Sequence, residues 1–148
     1  SSQSEEVTET FDISELIKNL VKKNQNIKIT LDLAKRVYMD GRKNLIKRCL
    51  NNLIDNGIKY AENIHIHLIK SQNHIIITID DDGPGIQKKD YDNVFKPFFK
   101  VDKSRGGSKS SVGLGLSIAS DVIKSHGGNI NLDKSPQKGL RVKIFFPF

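Results

Sequence analysis

Apolar residues recur along this chain with two different periods. Alternate positions are apolar in five stretches that predict β-strands: Ile27–Leu33, Ile64–Leu68, Ile75–Ile79, Ile130–Leu132 and Leu140–Phe146. Spacings of three and four residues predict helices at about Ile13–Lys23, Arg42–Tyr60 and Leu116–Ile123. A further short strand is expected around Val37–Met39. These elements predict a two-layer α+β sandwich, in which a mixed, largely antiparallel sheet of about five strands carries three main helices on one face.

Polar residues mark where the domain and its first two helices begin. Ser1–Thr10 is polar and acidic without periodicity, which predicts a linker, followed by one domain over residues 11–148. Asp12 precedes the first helix and an acid follows three residues later, as in a helix N-cap. Asp40 is the candidate N-cap of the second helix.

The third predicted long strand ends in three carboxylates and a Gly-Pro-Gly turn with little side-chain bulk. Because side chains alternate along a strand, Asp81 shares the apolar face, whereas Asp80 and Asp82 share the other. A carboxylate on the core face is costly unless it is hydrogen-bonded. We therefore expect Asp81 to accept an N–H group of a ligand, with Gly83 and Gly85 allowing close approach. The alternative is that Asp81 only caps the turn.

The second predicted helix borders its apolar face with a polar column. Asn52, Asn56 and Lys59 lie along one edge of that face, and Tyr60 lies just inside it. An amide oxygen can bind a hard metal ion, and an ammonium group one turn further on suits a phosphate. Exposed side chains without a function are the alternative, above all for Asn52.

A long stretch rich in lysine, serine and glycine follows, at about residues 96–112. A loop of this length is either a functional lid or a solvated loop, and its cations would suit phosphates. The next residues, Val112–Leu116, form a glycine-bearing turn that opens onto the third helix. Free N–H groups and the helix dipole make such a turn a candidate anion site.

Composition narrows the classes of function. The 148 residues are 36% hydrophobic and 28% charged, which indicates one soluble domain. No apolar run approaches the roughly 18 residues of a membrane span. The single cysteine, Cys49, excludes an internal disulfide and fits a reducing cytoplasm. The net charge of +7 would suit nucleic acid, a phosphate-rich ligand or an acidic partner, but the chain has neither an aromatic-rich binding strand nor a zinc spacing, so we expect no nucleic acid.

Four segments, taken in order, resemble the motifs of the ATP-binding catalytic domain of bacterial sensor histidine kinases, which have the Bergerat fold. The segments that resemble the N box, the first glycine box, the F box and the second glycine box are Asn52–Tyr60, Asp81–Gly85, Phe95–Phe99 and Val112–Leu116. The resemblance covers about residues 11–148 and is nearest to osmolarity-sensing and envelope-sensing kinases. The chain departs from the usual pattern at Gly57, Ser111 and Leu140.

The resemblance implies a role for each matching residue. Asp81 would accept a hydrogen bond from the exocyclic amine of adenine, while Gly83, Gly85 and Ile86 would form walls of the base pocket. Asn56 would ligate Mg²⁺, and Tyr60 would stack on the base. The phosphates would be contacted by Asn52, Lys59, Lys100, Arg105, Val112, Gly113, Leu114, Gly115 and Leu116. Of these, Asn52, Lys59, Lys100 and Arg105 would be the catalytic contacts.

The same resemblance implies a function in two-component signalling. The domain would bind Mg-ATP and pass the γ-phosphoryl group to a histidine on a separate helical dimerisation domain, in a kinase that acts with a cognate response regulator. None of the four histidines lies in a His-Glu-x-x-x-Pro-type phosphoacceptor motif. We therefore expect a C-terminal part of a longer protein, with this domain in the cytoplasm and membrane segments upstream at the inner membrane.

Three other functions are open to a chain of this kind. A hydrolase of the same superfamily places a glutamate four residues before the metal-binding asparagine, whereas this chain has Asn52, which cannot act as a base at neutral pH. A stand-alone serine kinase that binds a sigma factor would fit the missing phosphoacceptor, although the F box and the basic lid favour the histidine kinase. A nucleic-acid binder would show salt-dependent DNA affinity that survives loss of Asp81.

Overall fold

The computed structural model describes residues 6–23, 28–97, 99 and 112–148. In these residues the helices are α1 (Ile13–Lys22), α2 (Lys43–Tyr60) and α3 (Val112–Ser125), with two short 3₁₀ turns at Lys88–Asp90 and Asn93–Phe95. The strands are β1 (Glu9–Asp12), β2 (Lys28–Leu33), β3 (Tyr38–Gly41), β4 (Asn63–Lys70), β5 (His74–Asp81), β6 (Asn129–Lys134) and β7 (Leu140–Pro147).

The main sheet has five strands in the order β2-β4-β5-β7-β6. Only β2 and β4 run parallel within it, and the other three pairs are antiparallel. The sheet and the helices build the predicted α+β sandwich, which confirms the expected fold. Strand β5 lies at the centre of the sheet, so the turn that follows it is held by neighbours on both sides.

One face of the sheet forms the hydrophobic core with the helices. Ile66 and Ile79 stand opposite each other across β4 and β5, and both are buried, as are the apolar residues of α2 that the periodicity predicted. Asp81 pairs with the buried Ile64 at the end of the same ladder. The prediction that Asp81 lies on the core face is therefore confirmed.

The start of the domain differs from the prediction. Glu9 and Thr10, which the sequence placed in the linker, belong to β1 and pair with β3 in a separate two-stranded sheet. Their side chains are exposed, so no apolar pattern revealed the strand. Strand β3 confirms the short strand expected around Val37–Met39. The assignment of the first residues to an interdomain linker stays a prediction, and residues 1–5 lie outside the described part.

The capping predictions have different outcomes for the two helices. Asp12 caps α1 as expected, accepting the N–H of Ser14 at 2.9 Å. The prediction for Asp40 is wrong, because its carboxylate accepts the hydroxyl of Thr10 across the small sheet. At the start of α2 the free N–H groups of Asn44 and Leu45 are instead accepted by the carboxylate of Glu6, at 2.6 and 3.1 Å.

The segment between β5 and β6 contains two 3₁₀ turns and helix α3. The two 3₁₀ turns at Lys88–Asp90 and Asn93–Phe95 follow the Gly-Pro-Gly turn. The glycine-bearing segment expected as a turn before the third helix is already helical, because α3 begins at Val112. Among the described residues, no helix has the length and hydropathy that crossing a bilayer requires.

Candidate functional site

The three consecutive acids at the end of β5 have three different environments. Asp80 lies on the face opposite the core and forms a two-pronged ion pair with Arg141, at 2.8 and 2.9 Å. Asp82 accepts the side-chain amide of Asn63 at 2.8 Å and nearby backbone N–H groups, and these hydrogen bonds hold its pKa below the usual range. Both acids therefore have structural partners.

Asp81 has one carboxylate oxygen engaged and one available. Its Oδ1 accepts the backbone N–H groups of Gly83 at 2.9 Å and Leu140 at 3.0 Å. Its Oδ2 accepts no hydrogen bond from any described residue, although the residue as a whole is only 9% exposed. Burial raises the pKa of this carboxyl, and the two backbone hydrogen bonds act in the opposite direction. An acceptor held in this way fits a ligand N–H group.

The predicted polar column of α2 contributes unpartnered polar atoms. In the described part of the chain, three buried side-chain polar atoms lack a hydrogen-bond partner, and two of them are Asn56 Nδ2 and Tyr60 Oη. The third is Ser14 Oγ on α1. Buried polar atoms are normally paired, so each exception calls for an explanation. For Asn56 and Tyr60, a bound ligand that supplies the missing hydrogen-bond partner is a direct explanation.

The C-terminal end of α2 lies against the turn after β5. A Cβ placed on Gly83 would lie 2.7 Å from the carbonyl oxygen of Tyr60, so only glycine permits this approach. A Cβ placed on Gly57 would lie 4.0 Å from Asp81 Oδ2. Two segments separated in the sequence, the polar end of α2 and the acid-glycine turn, are thus brought together around the open carboxylate oxygen.

The other predicted site residues differ in their exposure and in how far the structure describes them. Asn52 and Ile86 are half-buried, Lys59 is exposed, and Gly85 has a positive φ of 71° within the turn. Leu116 is 2% exposed and belongs to the hydrophobic core, so only its backbone could contact a ligand. Lys100 and Arg105 lie outside the described residues, and Val112, Gly113, Leu114 and Gly115 are described only as the start of α3.

Residues of the β6–β7 turn complete the surroundings of Asp81 and were not predicted. The buried hydroxyl of Ser135 donates to the backbone oxygen of Asp81 at 2.5 Å. Gly139 is packed so closely that a Cβ there would clash with Asp81 and come within 2.7 Å of the Gly83 nitrogen. The sequence gives no local signal for these contacts, because Ser135 and Asp81 are 54 residues apart.

A separate cleft of about 520 Å³ lies between α1 and α2. It is lined by the apolar Leu20 together with basic and amide side chains: Lys23, Asn44, Lys47, Arg48 and Asn51. None of these residues belongs to the group around Asp81. The chemistry of the open carboxylate, and not the volume of this cleft, therefore defines the candidate site.

Comparison with known proteins shows the family to which the chain belongs. Residues 41–148 match the family described as histidine kinase-, DNA gyrase B-, and HSP90-like ATPase. The sensor histidine kinase CpxA of Escherichia coli K12 is 34% identical over 108 residues, which are 72% of this chain and 24% of that protein. The histidine-protein kinase ArlS of Staphylococcus epidermidis is 35% identical over 147 residues, 94% of this chain and 32% of that protein. The chain thus spans about a quarter to a third of the length of these relatives.

Solved structures show the same fold. The mycobacterial sensor histidine kinase MprB superposes with a TM-score of 0.81 at 24% identity, covering 94% of this chain and 97% of that one. The histidine kinase AdeS of Acinetobacter baumannii gives a TM-score of 0.75 at 24% identity, covering 96% of this chain and 68% of that one. The family match over residues 41–148 shows that the chain belongs to the histidine kinase-, DNA gyrase B-, and HSP90-like ATPase family, and the curated relatives CpxA and ArlS are histidine kinases.

Proposed function

We propose that this domain binds Mg-ATP and donates its γ-phosphoryl group to a histidine on a separate dimerisation domain of a sensor kinase. The observation that carries the proposal is the Asp81 carboxylate, which is buried and has an oxygen, Oδ2, that accepts no hydrogen bond from the described residues. Adenine is the nucleobase that offers an amine, and no carbonyl oxygen, on its six-membered ring. A fixed acceptor therefore selects adenine over guanine.

The residues near Asp81 fit the rest of the nucleotide. Tyr60 offers an aromatic ring with an unpartnered hydroxyl, suited to the face of a base. Asn56 would hold Mg²⁺ through its amide oxygen, and Lys59 is exposed and free to neutralise phosphate charge. When bound, Mg²⁺ supplies charge neutralisation at the transferred phosphoryl group. Catalysis by the domain would consist of positioning and electrostatic stabilisation.

The family relationship supports the kinase over the rival functions. The curated relatives CpxA and ArlS are named as a sensor histidine kinase and a signal transduction histidine-protein kinase, and neither is named as a serine kinase that binds a sigma factor. Residue 52 is asparagine, so the chain lacks the glutamate base of the superfamily's hydrolases. We propose that the partners are an upstream dimerisation domain of the same protein and a cognate response regulator. The domain would work in the cytoplasm, joined to the membrane through upstream segments.

Calorimetric titration with Mg²⁺ and a non-hydrolysable ATP analogue tests the binding half of the proposal. We expect micromolar to millimolar affinity for the wild type and a loss of about 2 kcal/mol for Asp81→Asn, because the amide presents a donor or a weaker acceptor to the base. Asp82→Asn is the matched control, since among the described residues the Asp82 carboxylate accepts hydrogen bonds from Asn63 and Glu62, away from the open oxygen of Asp81. Equal binding by wild type and Asp81→Asn would refute the adenine assignment.

Transfer of labelled phosphate tests the second half of the proposal, the donation of the γ-phosphoryl group to a histidine. The full-length protein, incubated with γ-labelled ATP, should become labelled on a histidine upstream of residue 1. Acid-labile and base-stable label is the expected chemical signature of phosphohistidine. Label on a serine or threonine would instead support the serine-kinase alternative.

A further inference from the structure

We propose that Ser135 is a positioning residue of the adenine site, which fixes the orientation in which the Asp81 carboxylate meets the amine of the base. The inference deepens the proposed function and rests on it. Ser135 does not belong to any of the motif segments on which the resemblance is based. Its side chain is only 4% exposed, so its hydroxyl must find its partners within the fold.

A single hydroxyl group connects the β6–β7 turn to the end of β5. Ser135 Oγ donates to the backbone oxygen of Asp81 at 2.5 Å. The same atom accepts the N–H groups of Gln137 and Gly139, both at 3.1 Å. One donor and two acceptor interactions use the full hydrogen-bonding capacity of a serine hydroxyl.

The backbone of Ser135 closes the same turn. Its N–H donates to the carbonyl of Gly139 at 2.9 Å, and its own carbonyl accepts the N–H of Lys138 at 2.9 Å. The turn leads directly into Leu140, whose N–H donates to Asp81 Oδ1 at 3.0 Å. The turn therefore holds Asp81 at two points, the backbone oxygen through Ser135 and the carboxylate through Leu140.

This double attachment determines which carboxylate oxygen faces the ligand. Oδ1 is engaged by Leu140 and by Gly83, which leaves Oδ2 as the acceptor for a base. Without the Ser135 hydroxyl, the N–H groups of Gln137 and Gly139 in the turn and the backbone oxygen of Asp81 in β5 would lose this partner. The turn would relax, and the Leu140 hydrogen bond would weaken. Gly83 alone, only two residues from Asp81, would not fix the rotation of the carboxylate.

The test is the preference for adenine, measured as the ratio of two dissociation constants. ADP is compared by calorimetry, in the presence of Mg²⁺, with the diphosphate of purine riboside, which lacks only the 6-amino group. Because both nucleotides bind the same folded fraction, the ratio does not depend on how much of a variant is folded. Ser14→Ala is the matched control, since Ser14 is also buried but its hydroxyl has no hydrogen-bond partner among the residues that the structure describes.

We expect the wild type and Ser14→Ala to prefer ADP by tenfold or more, and Ser135→Ala to lose at least about fivefold of this preference. In an Asp81→Asn background, where the preference is already lost, Ser135→Ala should change the ratio less than about twofold. If Ser135→Ala keeps the wild-type preference for ADP while Asp81→Asn loses it, the proposed role of Ser135 is wrong and the adenine assignment of Asp81 stands. No preference in the wild type would overturn the adenine assignment and the role of Ser135 together.

Discussion

Replacement of Gly139 by alanine tests how tightly the β6–β7 turn is packed on Asp81. A Cβ at this position would meet Asp81 Oδ1, the Asp81 backbone oxygen and the Gly83 nitrogen, all closer than 3.0 Å. None of these atoms lies at the end of a flexible side chain that could move aside, apart from the carboxylate whose position defines the site. The turn itself must therefore move away from β5.

The size of the effect follows from two contributions. Overpacking a tight contact costs about 1–3 kcal/mol. Loss of the charged hydrogen bond between the Leu140 N–H and Asp81 Oδ1 costs about 1.5–3 kcal/mol more. We expect Gly139→Ala to lower the free energy of unfolding by about 3–5 kcal/mol. For a domain of this size that corresponds to a fall in Tm of about 10–20 °C.

Gly57→Ala provides the matched control near the same acid. Its Cβ would approach Ile64 Cδ1 at 2.9 Å, which is the far end of a flexible side chain. Alanine is also more favourable than glycine in a helix interior by up to about 1 kcal/mol, which offsets the cost of this contact. We therefore expect the free energy of unfolding of Gly57→Ala to lie within about 1 kcal/mol of the wild-type value. Urea unfolding and ADP titration of both variants are the assays. A Gly139→Ala protein with wild-type stability and wild-type ADP affinity would refute the packing argument.

Three other predictions concern the charged groups around the site and at the domain start. Arg141→Met should destabilise the domain by about 3 kcal/mol in urea unfolding, because it leaves the buried Asp80 carboxylate unpaired; an effect below about 0.5 kcal/mol would contradict this. Glu6→Ala should cost about 1–2 kcal/mol by the same measurement, since the α2 N–H groups lose their acceptor, and an unchanged midpoint would show that the cap does not stabilise α2. Burial raises the pKa of Asp81 above its unfolded value, so its contribution to stability is present below the unfolded pKa and is lost as pH rises through the folded pKa. Asp81→Asn should therefore raise the Tm of the nucleotide-free domain at pH 7. The difference in Tm between the variant and the wild type should shrink toward pH 4. A variant with a lower Tm than the wild type at pH 7 would contradict this prediction.

Local patterns were sufficient to predict the fold and the placement of several candidate site residues. Alternation along one strand placed Asp81 on the core face, and the structure confirms that placement. Helical spacing grouped Asn56 with Tyr60, and both carry buried, unpartnered polar atoms. These predictions succeeded because the signal and the structure lie within the same few residues.

The features that the sequence did not predict, in the candidate site and at the start of the domain, depend on contacts between distant segments. Glu6 caps a helix 38 residues away, and Ser135 binds a strand end 54 residues away, so neither contact leaves a local pattern. The departure at Leu140 is also explained, because this residue contributes its backbone N–H to Asp81, which any side chain except that of proline permits. Such roles are visible only once the hairpin is folded against β5.

The most direct test of the central claim is a crystal structure of the domain with Mg²⁺ and a non-hydrolysable ATP analogue. We expect Asp81 Oδ2 to lie about 2.7–3.2 Å from the 6-amino nitrogen of adenine. We also expect Oδ1 to keep its hydrogen bonds from the N–H groups of Gly83 and Leu140. A base bound elsewhere, for example in the basic cleft between α1 and α2, or an amine beyond roughly 4 Å from Oδ2 would contradict the claim that Asp81 selects adenine.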